Sequence, residues 1–191
     1  MRQKLNGAST APGSSREYRL SFLSNIFRPK ADRDQYLPLY QYVVGEARSP
    51  AWYREGQVPD TLDGRFDMVA ALLALVMLRL EQEGDKGRSA SARIAETFID
   101  DMEGSVRQLG IGDLMVGKHV GKMMSALGGR IGAFRTAIAA NESFRPAVRR
   151  NVFHDAPPSP EAEALVASKL EAFAAKLANC DYQDIIEARL S

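Results

Sequence analysis

The chain has 191 residues, 45% of them hydrophobic and 26% charged, with a formal net charge of only +1. That length and balance fit one globular domain able to bury about 70% of the surface its unfolded chain would expose, without help from disulfides or metals. The near-neutral charge argues against nucleic acid as the main partner, because affinity there is built from many phosphate-neutralising Lys and Arg. The single cysteine, Cys180, excludes an internal disulfide and points to a reducing compartment.

Residues 1–17 are rich in Ser, Ala, Gly and Thr with few apolar anchors, so this stretch is expected to be disordered. In residues 18–33, Leu20, Phe22, Leu23, Ile26 and Phe27 place an apolar stripe beside Arg28 and Lys30. Two readings are open: a short helix lying on an anionic membrane surface, or a strap packed on its own domain. Early cations outnumber acids as in an organelle transit segment, but there is no secretory hydrophobic region.

Residues 34–191 form the helical domain. Tyr36, Leu37, Leu39, Tyr40, Val43, Val44 and Ala47 recur at helical spacing, with Pro38 tolerated in the first turn. Ser49-Pro50 ends that helix, and Trp52 and Tyr53 lie in a single further turn. Then comes Val58-Pro59-Asp60-Thr61-Leu62-Asp63-Gly64-Arg65-Phe66-Asp67-Met68, a charged entry to the most apolar run of the sequence. Asp60 or Thr61 can accept the free N–H groups of the first turn, and Asp63 and Asp67 suit the positive end of the helix dipole. The helix from Leu62 to Glu83 is apolar nearly all round and is therefore expected to be buried. Its apolar run, closed by Arg79 and Glu81, falls short of the roughly 18 residues that read as a membrane span.

Gly84-Asp85-Lys86-Gly87 is expected to be a polar break, with Ser89 or Ser91 capping a third helix through Ile94, Phe98, Met102, Val106 and Leu109 to a C-cap at Gly110. The next long helix has the seam Val116, Val120, Met123, Leu127, Ile131, Phe134 and Ile138. Gly117, Gly121, Ser125, Gly128 and Gly132 make a second stripe. A helical Gly costs about 1 kcal/mol relative to Ala, so the row predicts a close helix neighbour, with the central helix as the candidate. A break at Asn141–Phe144 precedes a basic patch of Arg145, Arg149 and Arg150, a proline-rich loop leads to a helix over Glu161–Asn179, and a short piece, Tyr182–Leu190, finishes the chain. The expectation is an all-α, single-domain bundle of about six to eight helices around the buried helix Leu62 to Glu83.

Candidate chemistry is sparse. Gly112-x-x-x-x-Gly117-Lys118 matches a phosphate loop as far as the lysine, but His119 replaces the magnesium-binding hydroxyl and a helix precedes it where a strand is required. Asp60, Asp63 and Asp67 are a carboxylate set for metal or acid–base work, weighed against capping and ion pairing. His119 and His154 have no partner at metal spacing, and Cys180 has no CxxC mate, so it reads as a small buried thiol. No cofactor or metal is called for.

Leu39-Tyr40, Val43-Val44, Ala47-Arg48 and Pro50-x-Trp52-Tyr53, followed by Val58 to Asp67, resemble the ubiquinol-cytochrome c chaperone family. Asp101-Met102, Gly110-Ile111-Gly112-Asp113-Leu114, Val116-Gly117-Lys118 and Gly129-Arg130 resemble its second segment in the same order. The resemblance covers Tyr36 to Ile138. Gly128 stands where the family pattern has an aromatic residue, and Gly121 where it has a basic one.

The resemblance implies a non-enzymatic assembly factor for the cytochrome bc1 complex that receives newly made cytochrome b. It also implies a place at the membrane: the matrix side in mitochondria, beside the ribosome and a small partner protein, or the cytoplasmic face of a bacterial inner membrane. Trp52, Tyr53, Asp60, Arg65, Asp113, Lys118 and Arg130 are the candidate face that binds the client or supports the surface that does. The alternative is that Asp63, Asp67, Arg65 and Arg130 pair across helices. Rival functions are a metal-dependent helical enzyme using the three aspartates and a peripheral lipid-binding module using Leu20 to Lys30.

Overall fold

The computed structural model describes residues 35–108, 113–154 and 157–190, the side chains of Asp113 and Leu114 excepted. The expectations for residues 1–17 and 18–33, including the stripe from Leu20 to Lys30, lie outside the described residues, as does the C-cap at Gly110.

Among the described residues eight α-helices run in chain order: α1 Leu37–Ala47, α2 Pro50–Arg54, α3 Leu62–Glu81, α4 Gly84–Gln108, α5 Asp113–Ala140, α6 Arg145–Val148, α7 Pro160–Asn179 and α8 Tyr182–Ile186. A π-helical turn, Arg149–Phe153, continues α6. The described residues contain no strand. No helix among them is long and apolar enough to cross a membrane. The all-α bundle around the central helix is the architecture read from the periodicity.

Helix α3 is the axis. Every residue from Asp67 to Val76 is buried, and α1, α4, α5, α7 and the π turn all pack on it, α5 most extensively. Its start follows the sequence: Thr61 is the N-cap, its Oγ1 accepting the Gly64 N–H at 3.1 Å. Gly64 has a steric reason, since a Cβ there would overlap the Pro59 carbonyl oxygen. The Tyr40 hydroxyl donates to Asp101 at 2.7 Å and ties α1 to α4.

Three expectations fail. Helix α4 begins at Gly84, with no cap at Ser89 or Ser91; the turn is made by Gln82 and Glu83 with Gly84 at φ +63°. Gly87 then lies inside the first turns of α4, where a side chain would strike the Leu80 carbonyl of α3.

The glycine stripe of α5 does not face the central helix: nothing lies within 4 Å of a Cβ built on Gly117, Gly121, Gly128, Gly129 or Gly132. The buried seam explains why. Val116 and Val120 pack with Val106 of α4 in a small second core, while Leu127 and Phe134 join the main core. The glycines are offset round the helix from that seam. Ile138, expected in the seam, is 48% exposed. Gly128→Ala and Gly132→Ala should therefore each raise stability by about 0.5–1 kcal/mol through helix propensity alone. Thermal melting checks this, and a fall in midpoint would show that the stripe is packed.

Candidate partner-binding surfaces

Within the segment Asp60–Met68 the charges divide between the interior and the surface. Asp67 points inward from α3, with its side chain 6% exposed, and is met by Arg130 of α5 at 2%. Arg130 Nη2 donates to Asp67 Oδ1 and to the Asn151 backbone carbonyl, and Nη1 donates to the Ala126 carbonyl at 3.0 Å. His154 Nε2 lies 2.9 Å from Asp67 Oδ2. The guanidinium also stands 5.7 Å from the Phe66 ring centroid, and Phe66 in turn lies 5.9 Å from Phe98. Burial pushes the Asp67 carboxyl up from its usual range, against the pull of Arg130 and His154; burial also lowers Arg130.

His154, at the end of the π turn, has φ 46° and ψ −115°. That left-handed backbone costs a non-glycine residue about 1–3 kcal/mol, so surrounding contacts must hold it in place. The Asp67 hydrogen bond is one such contact. Of the three carboxylates considered as a cluster, Asp67 is in this buried network, with Asp63 near enough to raise its carboxyl further, whereas Asp60 is fixed at the surface by Arg65. Among the described residues, no group of three or more His, Cys, Asp or Glu is arranged to hold a metal.

On the outside, Arg65 Nε donates to Asp60 Oδ1 at 2.8 Å, with side chains 61% and 58% exposed. Arg65 holds the Asp60 carboxyl below its usual pKa. The pair lines a cleft of about 330 Å³ with Arg48, Pro50, Tyr53 and Arg54. Tyr53 is half-buried, its hydroxyl donating to the Ala47 carbonyl at 2.7 Å. Trp52 is 2% exposed, and its Nε1 donates to the Glu46 carbonyl at 2.8 Å. These two bonds tie α2 back to α1 and set the wall of the cleft.

The structure therefore brings Tyr53, Asp60 and Arg65 together and places Lys118 on the exposed side of α5. Trp52 and Arg130 lie in the interior, where they can support a surface but not form it. The Asp113 side chain lies outside the described residues.

A larger concavity had no counterpart in the sequence reading. A groove of about 910 Å³ runs between the C-terminal halves of α3, α5 and α7, its apolar lining including Leu75, Leu78, Ala137, Ile138, Ala174 and Ala178. Arg135 donates to both oxygens of Glu81 at 2.6 and 2.8 Å on its rim. Glu171 accepts from the Ser143 hydroxyl and from the Phe144 N–H. The exposed Ile138, misplaced in the predicted seam, was the one available signal.

The family model described as ubiquinol-cytochrome C chaperone matches residues 54–191. The chain belongs to that family. Among solved structures, this family member is similar to the crystal structure of the Cbp3 homolog from Brucella abortus, with 29% identity and a TM-score of 0.72, over 92% of this chain and 95% of that one. No curated protein matches it. The match to the family model contains the Asp60–Arg65 pair, Lys118, Arg130 and the whole groove.

Proposed function

We propose that this chaperone-family member is a non-enzymatic factor that binds newly made cytochrome b and assists assembly of ubiquinol–cytochrome c reductase. It would work peripherally at the membrane face where that client is made: the cytoplasmic face of a bacterial inner membrane, or the matrix side if the chain is eukaryotic. The ribosome and a small partner protein are further contacts implied by the resemblance. The observation that carries the reading is the family match over residues 54–191, which contains the whole groove and the Arg54, Asp60 and Arg65 side of the cleft. Tyr53, Asp60 and Arg65 are proposed to engage the client from one cleft, with Lys118 as a separate charged contact. A half-buried aromatic beside a guanidinium and a carboxylate provides anchoring and orientation. Trp52 and Arg130 act by holding that surface in place.

The test is reciprocal pull-down with nascent cytochrome b. Arg65→Ala and Lys118→Ala alter exposed side chains, so both variants should fold as the parent does while capturing about tenfold less client together, a loss expected from one or two charge-assisted contacts. If the doubly substituted protein folds normally and retains full client binding, the proposed face is wrong.

A further inference from the structure

Helix α6 and its π turn carry a cluster of cations away from the cleft and the groove. Arg145, Arg149, Arg150, His154 and Pro146 line a concavity of about 430 Å³ together with Glu163 from the first turn of α7. Glu163 is buried, its side chain 5% exposed, while those of Arg145 and Arg149 are 43% and 65% exposed. Arg149 donates to Glu163 through Nε at 2.7 Å and Nη2 at 3.1 Å. Arg145 donates through Nε at 3.2 Å. One buried carboxylate thus pins the inner edges of two guanidinium groups, leaving their Nη1 groups unbonded among the described residues. Arg150 is exposed and has no partner among the described residues. His154 closes one side, its ring held by Asp67 at 2.9 Å.

We propose that this concavity is a binding site for a phosphoryl anion, held by Arg145, Arg149 and Arg150. Two guanidinium groups bind the single Glu163 carboxylate and a third, that of Arg150, lines the same concavity, so the site carries uncompensated positive charge. The two oxygens of Glu163 already occupy the inner edges. What remains is the outer end of the Arg149 guanidinium, the Arg150 guanidinium and Nη1 of Arg145, whose Nη2 donates to the Pro160 carbonyl at 3.4 Å; guanidinium N–H groups match the terminal oxygens of a phosphoryl group. Fixing two of the three arginines beforehand reduces the ordering cost of binding. The site is chemically distinct from the apolar groove and does not depend on the client assignment.

The experiment uses the full chain and two sources of the same chemistry. Titration with inorganic pyrophosphate, followed by calorimetry, tests a free phosphate ligand. Flotation with phosphatidylcholine vesicles, with and without phosphatidylglycerol, tests a lipid headgroup. Arg150→Glu breaks no bond seen in the fold and should weaken binding about tenfold or more, the factor expected for one charge-assisted hydrogen bond. Lys122→Glu makes the same charge change on the exposed side of α5 and should leave binding intact. Arg149→Gln gives a second reading, with circular dichroism to confirm folding.

Arg150-dependent binding of pyrophosphate alone assigns a soluble phosphate, and Arg150-dependent flotation on phosphatidylglycerol assigns a headgroup. Absence of both overturns the proposal, as does binding equally weakened by Lys122→Glu. Retention of an RNA oligonucleotide without either of the other ligands would also overturn it, in favour of a nucleic-acid contact.

Discussion

Arg130→Ala is expected to lower the unfolding free energy by about 3–5 kcal/mol, the cost of stranding a buried charge. The guanidinium contacts Asp67, the Asn151 carbonyl and the Ala126 carbonyl, and its removal leaves the Asp67 carboxylate with the His154 ring as its remaining side-chain hydrogen-bond partner among the described residues. Against a typical total of about 5–15 kcal/mol this is a large fraction. For a chain of this length it corresponds to a fall in melting temperature of about 10 °C or more. Replacing both partners, Asp67→Leu with Arg130→Met, should be less damaging than Arg130→Ala, because it removes the stranded charge along with the pair. Chemical denaturation of the two singles and the double gives the coupling directly. A loss below about 1 kcal/mol for Arg130→Ala would mean the carboxylate finds other solvation, and that the network does not hold α3, α5 and the π turn together.

Gly64→Ala is the second large effect. Alanine is ordinarily the better helix residue, so propensity alone predicts stabilisation. Here the added methyl would overlap the Pro59 carbonyl oxygen, a backbone atom that cannot swing aside as a side chain would. The expected cost is about 3 kcal/mol, the upper end for overpacking. It should appear as a lower denaturation midpoint with unchanged helical content at room temperature. Gly45→Ala on α1, where no atom lies within 4 Å of the new Cβ, is the matched control and should be neutral or stabilising. Equal behaviour of the two variants would show that the entry to α3 can shift away from Pro59.

These two sites show where sequence reasoning succeeds and where it stops. A cap at Asp60 or Thr61, the buried rod of α3 and the bend at Ser49-Pro50 were legible because each depends on residues a few positions apart, and the structure chooses Thr61. Gly64 stood in the sequence as one residue of the segment Val58–Met68; its necessity arises from the path by which Pro59 approaches the helix. The expected break at Gly84–Gly87 followed from composition, but Gln82 and Glu83 make the turn with Gly84 at positive φ, and Gly87 serves the close crossing of α3 and α4. The glycine row of α5 predicted a close neighbour, yet the row faces away from the packed seam.

The candidate face shows the same division. The resemblance selected Arg65 and Arg130 together, but one is 61% and the other 2% exposed at the side chain. Arg65 finds its acid five residues away, Arg130 finds Asp67 at a separation of 63, and His154 reaches Asp67 across 87 residues. No local pattern encodes the latter two. The groove between α3, α5 and α7 is likewise a product of how three helix ends diverge.

By itself the sequence determined the helical class, the central helix with its cap, and the chaperone-family resemblance, because periodicity, capping and family segments are properties of order along the chain. Only the tertiary structure decided that Asp67, Arg130 and His154 form one buried network, that Asp60 and Arg65 remain outside beside Tyr53, and that Glu163 gathers Arg145 and Arg149. Those pairings depend on the rotation and crossing of each helix against its neighbours, which close packing of the whole core sets at once.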